Sequence, residues 1–326
     1  MNLHRRQFLI LASAAAAIPG VSRPAMADTY PQRPVRIVVP YAPGGPTDVI
    51  TRVIAQKLSD STGKQFFVEN MGGGGGNVGM GRVANMPADG YTLLMINPSY
   101  VTNPTLYEKV PYEFGKSFDP VTLAVTTTLM IVVHPSVQAR TLEQLVALIK
   151  ASPGKFSYAS PGVGTPGHLV GEMFRLSLGL DLAHVPFNGA GPAVASAVAG
   201  HTPICFASPS PAAQQVVEGN LRGLAVTSKQ RSQALPDLPT TAEAGYPAIV
   251  GDNWQGIVVP AGTPPEVVTF VQREIGKILA LPELKERLTV LGFEPVGSTP
   301  EEFTAHVNAE FETWGKVIRE SKIRVQ

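Results

Sequence analysis

The sequence predicts an α/β fold, and three observations predict it. Short runs rich in β-branched residues alternate with amphipathic helical runs, which is the pattern of parallel strands covered by helices. Of the 326 residues, 44% are hydrophobic and 16% are charged, so the chain can bury a large core. Many of the 32 glycines and 30 prolines lie in turns that separate the two kinds of run.

The composition also excludes several classes of protein. The hydrophobic fraction excludes a disordered chain, because disorder requires low hydrophobicity and high net charge. The formal charge of +1 provides no basic field for nucleic acid. A disulfide within the chain is impossible, since Cys205 is the single cysteine.

The first 27 residues have the three-part layout of an export signal. A basic start is followed by an apolar stretch at 9–18 and by Ala25-Met26-Ala27, which fits a leader-peptidase cut after Ala27. The apolar stretch is too short for a stable membrane anchor. Arg5-Arg6 followed by Gln-Phe-Leu resembles a twin-arginine signal, and a general secretory signal is the alternative.

Cleavage after Ala27 would release a periplasmic protein. It removes Arg5, Arg6 and Arg23 and leaves 23 basic against 25 acidic side chains. No later stretch approaches 18 apolar residues, so we expect a soluble product.

The elements follow from local patterns in chain order. The buried run at 35–39 predicts a strand, and the spacing of Val49, Val53, Ile54 and Leu58 predicts a helix over 47–58. Further strands are predicted at 92–96, 129–133, 156–159, 203–206, 223–226 and 256–259. Further helices are predicted at 169–178, 193–199, 265–279 and 300–322, and capping boxes at 141–144 and 299–302 indicate two helix starts.

Glycine-rich turns stand where strands meet helices. Residues 40–48, 160–168 and 185–192 each contain glycines directly before a helix start. Bare backbone and the unpaired N–H groups of a helix N-terminus together can bind an anion without Lys or Arg. Each turn taken singly also fits an ordinary tight connection, but three of them favour one site made by converging helix ends.

A fourth glycine run matches the pattern of a nucleotide-binding site. Gly74, Gly76 and Gly79 match the dinucleotide fingerprint in form, although Pro87, Asp89 and Gly90 interrupt the chain soon afterwards. A mobile loop or a backbone-lined wall of a cleft is the interpretation that we favour for residues 72–76.

Catalytic and metal chemistry find little support in the sequence. The histidines are scattered, no zinc-protease helix motif or nucleophile elbow occurs, and Cys205 lies in an apolar run typical of a buried thiol. We therefore expect no catalytic residues, no metal and no cofactor.

Taken together, the turns resemble the periplasmic solute-binding proteins of tripartite tricarboxylate transporters, the Bug family. The resemblance is carried by Pro-Tyr-Ala-Pro-Gly-Gly-Pro-Thr-Asp at 40–48, Ala-Asp-Gly-Tyr-Thr-Leu-Leu at 88–94 and Gly-Thr-Pro-Gly-His-Leu at 164–169. Segments 69–79, 103–107, 185–192, 220–226 and 260–264 also match, in family order along the whole mature chain.

The resemblance implies a two-lobed periplasmic-binding-protein-like fold of type II with a hinge. One lobe would comprise residues 28–126 and 252–326, and the other would comprise 127–251. A small organic carboxylate would lie between the lobes and would be delivered to a membrane permease. The implied ligand-binding residues are Tyr41, Gly44, Gly45, Thr47, Asp48, Gly164, Thr165, His168, Asn188, Gly189, Ser208 and Asp252.

The resemblance leaves the ligand open. The chain departs from the usual family pattern at Tyr41-Ala42, at 71–74 and at 100–102, near the expected ligand. We expect a monomer that is not an enzyme. A ligand sensor for a membrane signalling partner is an alternative, and an exported oxidoreductase that binds a nucleotide at 74–79 is another.

Overall fold

The computed structural model describes residues 30–233 and 235–320, which form two α/β sheets. The export-signal prediction for residues 1–27 falls on residues outside the described ones. Within the described part, no helix is long and apolar enough to cross a bilayer.

The first sheet has the strand order β11-β4-β10-β3-β1-β2. Strands β1 (Val35–Val39), β2 (Phe66–Asn70) and β3 (Thr92–Ile96) are parallel to one another. Strands β4 (Phe118–Thr127) and β10 (Asn253–Pro260) pair with each other antiparallel, and so do β10 and β3. The short β11 (Glu294–Pro295) closes the edge beside β4.

The second sheet has the order β7-β6-β8-β5-β9. Strands β6 (Phe156–Ser160), β7 (Leu182–Pro186) and β8 (Ile204–Ala207) are parallel in the pairs β6–β7 and β6–β8. Strand β5 (Met130–Val133) is antiparallel to β8 and to β9 (Arg222–Val226). Because parallel strands need crossovers, helices follow β6, β7 and β8 on the way to the next strand.

Helices cover both sheets. In the first lobe, which we define as the elements of the first sheet and their connections, these are α1 (Pro46–Thr62), α2 (Asn77–Val83), α3 (Ser99–Leu106), α8 (Pro265–Leu279), α9 (Pro282–Val290) and α10 (Pro300–Glu320). In the second lobe they are α4 (Leu142–Ala151), α5 (Pro166–Ser177), α6 (Ala190–Val198) and α7 (Pro209–Val217).

The chain passes from the first sheet to the second between β4 and β5, and it returns between β9 and β10. The α/β prediction and the predicted strands and helices named above are confirmed, with ends that differ by a few residues. The lobe bounds at 126/127 and 251/252 stay predictions.

One capping box forms completely and the other forms in part. At the start of α10, the Glu302 N–H donates to Thr299 Oγ1, and the Thr299 N–H donates back to Glu302 Oε2 at 2.9 Å. At α4, the Gln144 N–H donates to the N-cap Thr141 Oγ1 at 3.2 Å, but Gln144 Oε1 accepts from Arg140, the residue before the N-cap.

The five-glycine run is not a plain loop. Residues Gly74–Gly76 make one 3-10 turn, and α2 begins directly after it. Glycine is required inside α2, because a Cβ atom on Gly79 would lie 2.7 Å from the carbonyl oxygen of Met71 and 2.7 Å from Pro40. Close packing therefore excludes a larger side chain at Gly79, and the interpretation of residues 72–76 as a mobile loop or a wall of a cleft stays a prediction.

Strand β4 was not predicted from the sequence. Its Asp119-Pro120 pair argues against a strand inside a sheet, because proline cannot donate to the ladder. Pro120 pairs with Val258 beside a register shift in β10, and proline is tolerated at such an irregularity.

Candidate functional site

Four helices begin at one small cavity between the two sheets. The cavity has a volume of about 40 Å³, enough for about three water-sized spheres. Its lining residues are Tyr41, Ala42, Gly45, Pro46, Thr47, Asn97, Leu129, Pro161, Thr165, Pro166, Gly167, Gly189, Ala190, Ser208 and Asn253. Among these lining residues there is no Lys, Arg, Asp or Glu.

The helix starts come from parallel strands of both sheets. Helix α1 follows β1, while α5, α6 and α7 follow β6, β7 and β8. The carboxyl ends of parallel strands meet at the same edge of a sheet, and this edge is the usual place for a ligand in an α/β protein. Their N-cap residues Gly45, Thr165, Gly189 and Ser208 all line the cavity.

None of these four helices is capped by its own N-cap side chain. The Thr165 hydroxyl donates to the carbonyl oxygen of Gly162 at 2.7 Å instead. The first turns contain five residues without an N–H group, namely Pro46, Pro166, Pro192, Pro209 and Pro211. The remaining first-turn N–H groups are not used by a capping side chain, and the helix dipoles add positive potential at the same place. The arrangement suits an anion although it has no cationic side chain.

Asp48 braces the first turn from behind. Its carboxylate accepts hydrogen bonds from the Gly44 N–H at 3.0 Å, from Arg52 at 3.0 Å and from Asn70 at 2.9 Å. Burial alone would raise the pKa of Asp48, but these three donors outweigh it and hold the pKa below its usual value. The Asp48 carboxylate is thus bonded to groups of the protein itself, and Asp48 is not among the residues that line the cavity.

His168 braces the second turn in a similar way. The Gly164 N–H donates to His168 Nδ1 at 3.1 Å, and the ring stacks on His184 with centroids 4.2 Å apart. Burial lowers the pKa of His168 to about 4. A neutral imidazole that accepts at Nδ1 carries its proton on Nε2.

The second histidine of this pair is also held neutral. His184 Nε2 lies 2.7 Å from the hydroxyl of Ser160, the last residue of β6. Burial, followed by the neighbouring His168, lowers the pKa of His184 to about 3. The stacked pair therefore fixes the loop between β6 and α5 without bringing charge into it.

Six of the twelve predicted ligand-binding residues line the cavity, namely Tyr41, Gly45, Thr47, Thr165, Gly189 and Ser208. Gly44, Asp48, Gly164 and His168 lie in the bracing contacts of the two turns, and Asn188 is exposed. Asp252 lies at a second cavity, whose lining includes Thr126, Ser228 and Glu294.

The cavity also contains polar residues that sequence reasoning missed. Asn97 follows β3 and Asn253 opens β10, and both side chains are buried. The hydroxyl of Tyr41 donates to Asn97 Oδ1 at 2.6 Å, and the Ser99 N–H donates to the same oxygen at 2.9 Å. The available signal for Asn97 was a polar amide directly after an apolar strand and before Pro98.

The two lobes touch beside the cavity. Ser99 and Thr102 of α3 both donate their hydroxyl groups to the carbonyl oxygen of Gly164, at 3.3 and 3.1 Å. The glycine run of the first lobe lies against the same loop, because a Cβ on Gly75 would stand 2.7 Å from the carbonyl oxygen of Val163. The cavity thus lies in a closed cleft.

Several other chemistries lack a site in the described residues. Residues 30–233 and 235–320 contain no group of three His, Cys, Asp or Glu that could hold a metal ion. Burial raises the pKa of the Cys205 thiol to about 12. At the nucleotide-like fingerprint, the carbonyl oxygen of Gly75 accepts from Asn103 Nδ2 at 3.1 Å, and a Cβ on Gly75 would meet the carbonyl oxygen of Val163.

Comparison with known proteins identifies the family that this chain resembles. A family model described as the tripartite tricarboxylate transporter family receptor matches residues 50–323. The protein BugT of Bordetella pertussis (strain Tohama I) is 34% identical over 328 residues, covering 100% of both chains.

Solved structures are similar over most of the chain. The periplasmic binding protein BugD has a TM-score of 0.87 at 33% identity, covering 91% of this chain and 100% of its own. R. palustris Rpa4515 with adipate has a TM-score of 0.88 at 31% identity, covering 90% and 99%. MatC from Rhodopseudomonas palustris with bound malate has a TM-score of 0.84 at 28% identity, covering 89% and 100%. The predicted periplasmic-binding-protein fold is therefore confirmed.

Proposed function

The chain belongs to the tripartite tricarboxylate transporter receptor family, and from this membership we propose that it captures a small organic carboxylate for a membrane permease. The family and its structural neighbours are periplasmic binding proteins, and the proposed capture would therefore take place in the periplasm. The carboxylate would occupy the cavity between the two sheets, and no covalent chemistry would take place there.

The convergence of four uncapped helix starts is the observation that carries the proposal. A carboxylate has only acceptor atoms, and the first turns of α1, α5, α6 and α7 offer N–H donors around one cavity. Each helix dipole contributes roughly half a positive charge at its N-terminus. In a closed cleft these donors face little competition from water, so their bonds to an anion are strong.

The chemistry of the solved neighbours supports this class of solute. One neighbour is described with adipate and another with bound malate, and both molecules are small dicarboxylates. A cavity of about 40 Å³ in this chain admits a carboxylate group, and a longer solute needs further opening of the cleft.

The export route and the partner are part of the proposal. A signal peptide cleaved after Ala27, of the twin-arginine type, would deliver the protein to the periplasm. There it would act as a monomer that presents its loaded form to the permease. N-terminal sequencing of the protein recovered from the periplasm tests the cut, and Asp28 is the expected first residue.

Thermal-shift measurements with mono- and dicarboxylates test the binding proposal. A bound solute stabilises by RT ln(1 + [L]/Kd), about 2.7 kcal/mol at a hundredfold excess over Kd. Ala190→Asp places a carboxylate at the first position of α6, where it is compatible with the helix but competes for the site. We expect this variant to lose at least about 100-fold in affinity.

Ala242→Asp is the matched control, because Ala242 is exposed and lies outside the cavity lining. It should bind like the wild-type protein. If no carboxylate shifts the melting temperature of the folded wild-type protein, or if both variants bind equally well, the proposal is wrong.

A further inference from the structure

Both connections between the two sheets meet in one hydrogen-bonded joint. The first connection is short, because residues 128 and 129 alone separate β4 from β5. Thr227, which directly follows β9, is completely buried and accepts a hydrogen bond from the Leu129 N–H at 3.2 Å. Its hydroxyl donates to the carbonyl oxygen of Gly251 at 2.7 Å, so that it joins the outgoing and the returning chain. We define residues 127–129, 227–228 and 251–253 as the hinge.

A second cavity, with a volume of about 50 Å³, lies beside the hinge. Phe293 and Glu294 of the first lobe line one part of it. Ser228 and Ser232, which follow β9 of the second sheet, line another part, and Asp252 of the hinge lines it as well. Because the walls of this cavity come from both sides of the hinge, we expect a movement of the lobes to change it.

Asp252 and Glu294 are two carboxylates of this cavity that have no partner. Within residues 30–233 and 235–320, the structure gives neither of them a hydrogen-bond donor or an ion pair. Trp254 and Glu294 both pair with Thr126 of β4. Asp252 stands two residues before Trp254. Because paired residues and residues two apart share a face of a sheet, Asp252 and Glu294 are directed to the same face.

More acidic than basic groups face Asp252. Glu294 faces it from β11, Glu310 from α10, and Lys229 from the connection after β9. The Asp252 carboxylate is surrounded by protein atoms, although the residue as a whole is exposed and can exchange protons with solvent. Burial of the carboxylate, followed by the charges of Glu294 and Glu310, raises the pKa of Asp252 to about 6.

We expect opening of the cleft to remove this effect on Asp252. It would separate Ser228 and Ser232 from Glu294 across the cavity and admit water to the Asp252 carboxylate. The pKa of an aspartate side chain in water is about 3.9. A group whose pKa is higher in the closed state than in the open state takes up a proton when the cleft closes. Closure is therefore favoured increasingly as the pH falls from about 7, and the effect levels off near about pH 4.

We propose that closure of the cleft is coupled to proton uptake by Asp252, so that the hinge makes solute capture tighter in a mildly acidic medium. This inference rests on the proposed function, because solute capture requires closure. At neutral pH, the carboxylates of Asp252 and Glu294 repel each other across the closed cavity. A protonated Asp252 ends this repulsion and offers an O–H donor to the polar groups of the cavity.

Isothermal titration calorimetry tests the coupling, with adipate and malate as the first solutes. Asp252→Asn keeps the shape of a protonated carboxyl group and cannot titrate. Between pH 7 and pH 5, we expect the Kd of the wild-type protein to fall about five- to tenfold more than that of Asp252→Asn. At pH 6, measurements in two buffers of different ionisation enthalpy should show that the wild-type protein takes up about half a proton more for each solute bound. The solute's own titration is the same for both proteins, so the difference belongs to Asp252.

Two further variants make the test specific. Glu294→Gln removes the like charge and should lower the pKa of Asp252, so that proton uptake at pH 6 decreases. Asp237→Asn is the matched control, because Asp237 is exposed and lines neither cavity, and it should behave like the wild-type protein. Melting temperatures at pH 7 show whether each variant is folded.

The outcomes separate the two proposals. Solute binding with the same pH dependence and the same proton uptake in wild type and Asp252→Asn overturns the coupling and leaves the proposed function standing. If Asp252→Asn does not fold, unchanged proton uptake in Glu294→Gln overturns it. If no carboxylate binds to the folded wild-type protein at either pH, the proposed function fails, and this inference fails with it.

Discussion

The hydroxyl of Thr102 donates a hydrogen bond to the carbonyl oxygen of Gly164 at 3.1 Å and so ties the first lobe to the second. Thr102 is completely buried, and the Ser99 hydroxyl approaches the same oxygen. The bond joins α3 directly to the loop that leads into α5. We expect this bond to break when the cleft opens, so its free energy favours the closed state.

Thr102→Val should weaken solute binding. The substitution keeps the shape but removes the donor, and one buried hydrogen bond contributes about 1 kcal/mol, which corresponds to a roughly fivefold rise in Kd. Isothermal titration calorimetry with the tightest carboxylate measures the change. Thr304→Val is the control, because Thr304 is exposed and its hydroxyl donates to the carbonyl oxygen of Pro300 within α10. Equal affinities for both variants would show that the bond does not act in closure.

Gly75→Ala should also hinder closure. Its methyl group would stand 2.7 Å from the carbonyl oxygen of Val163, across the contact between the lobes. Gly63→Ala shares the backbone strain, since φ is +63° at Gly75 and +67° at Gly63, but its methyl group meets nothing within 4 Å. We expect Kd to rise at least about tenfold for Gly75→Ala relative to Gly63→Ala. Similar Kd values would mean that the loop moves aside freely.

The stacked histidines predict a pH dependence of stability. The pKa of His168 is about 4 in the folded protein against 6.5 for an unperturbed side chain, so the unfolded chain binds the proton first. The contribution of neutral His168 to the free energy of unfolding is complete above pH 6.5, decreases as the pH falls, and levels off near pH 4. Its decrease between pH 7 and pH 5 is about 2 kcal/mol, on the basis of 1.36 kcal/mol per pKa unit.

Urea unfolding at both pH values measures this effect in the wild-type protein and in His168→Asn. The variant should lose less free energy of unfolding between pH 7 and pH 5, because it lacks the titrating ring. His201→Asn, on an exposed residue, should behave like the wild-type protein. An identical pH slope for wild type and His168→Asn would contradict the prediction.

Asp48→Asn should lower stability more than Asp60→Asn on the same helix. Asp48 is buried and accepts from Gly44, Arg52 and Asn70, whereas Asp60 is exposed and accepts from Gln56. We expect Asp48→Asn to lower the free energy of unfolding by about 1–2 kcal/mol near pH 7. The pKa of Asp48 is lowered, so its contribution is present above its usual pKa and is lost as the pH falls below that value. Equal losses for both variants in urea unfolding at pH 7 would refute it.

Local chemistry predicted much of the fold and six of the fifteen residues that line the cavity. Apolar periodicity identified β1 and α1, and the capping boxes identified the starts of α4 and α10, because these signals lie within a few residues. Glycine turns before helices pointed to Gly45, Thr165 and Gly189 for the same reason.

The rest depends on contacts between distant parts of the chain. Asn97 and Asn253 line one cavity because β3 and β10 pair antiparallel, and no local pattern announces that pairing. His168 and Asp48 carry local signals of a helix start, but tertiary packing decides that their partners are loop and helix groups rather than the cavity. A single sequence does not show such partners.

The four helix starts are divided unequally between the lobes, since α1 belongs to the first and α5, α6 and α7 belong to the second. Under the proposed function, we expect an anion in the cavity to lose the donors of one helix when the cleft opens and to keep those of three. The second lobe would then hold the solute in the open protein, and the first lobe would close over it. Uptake and release would depend on how often the cleft opens, and no ion pair with a charged cavity side chain would have to break.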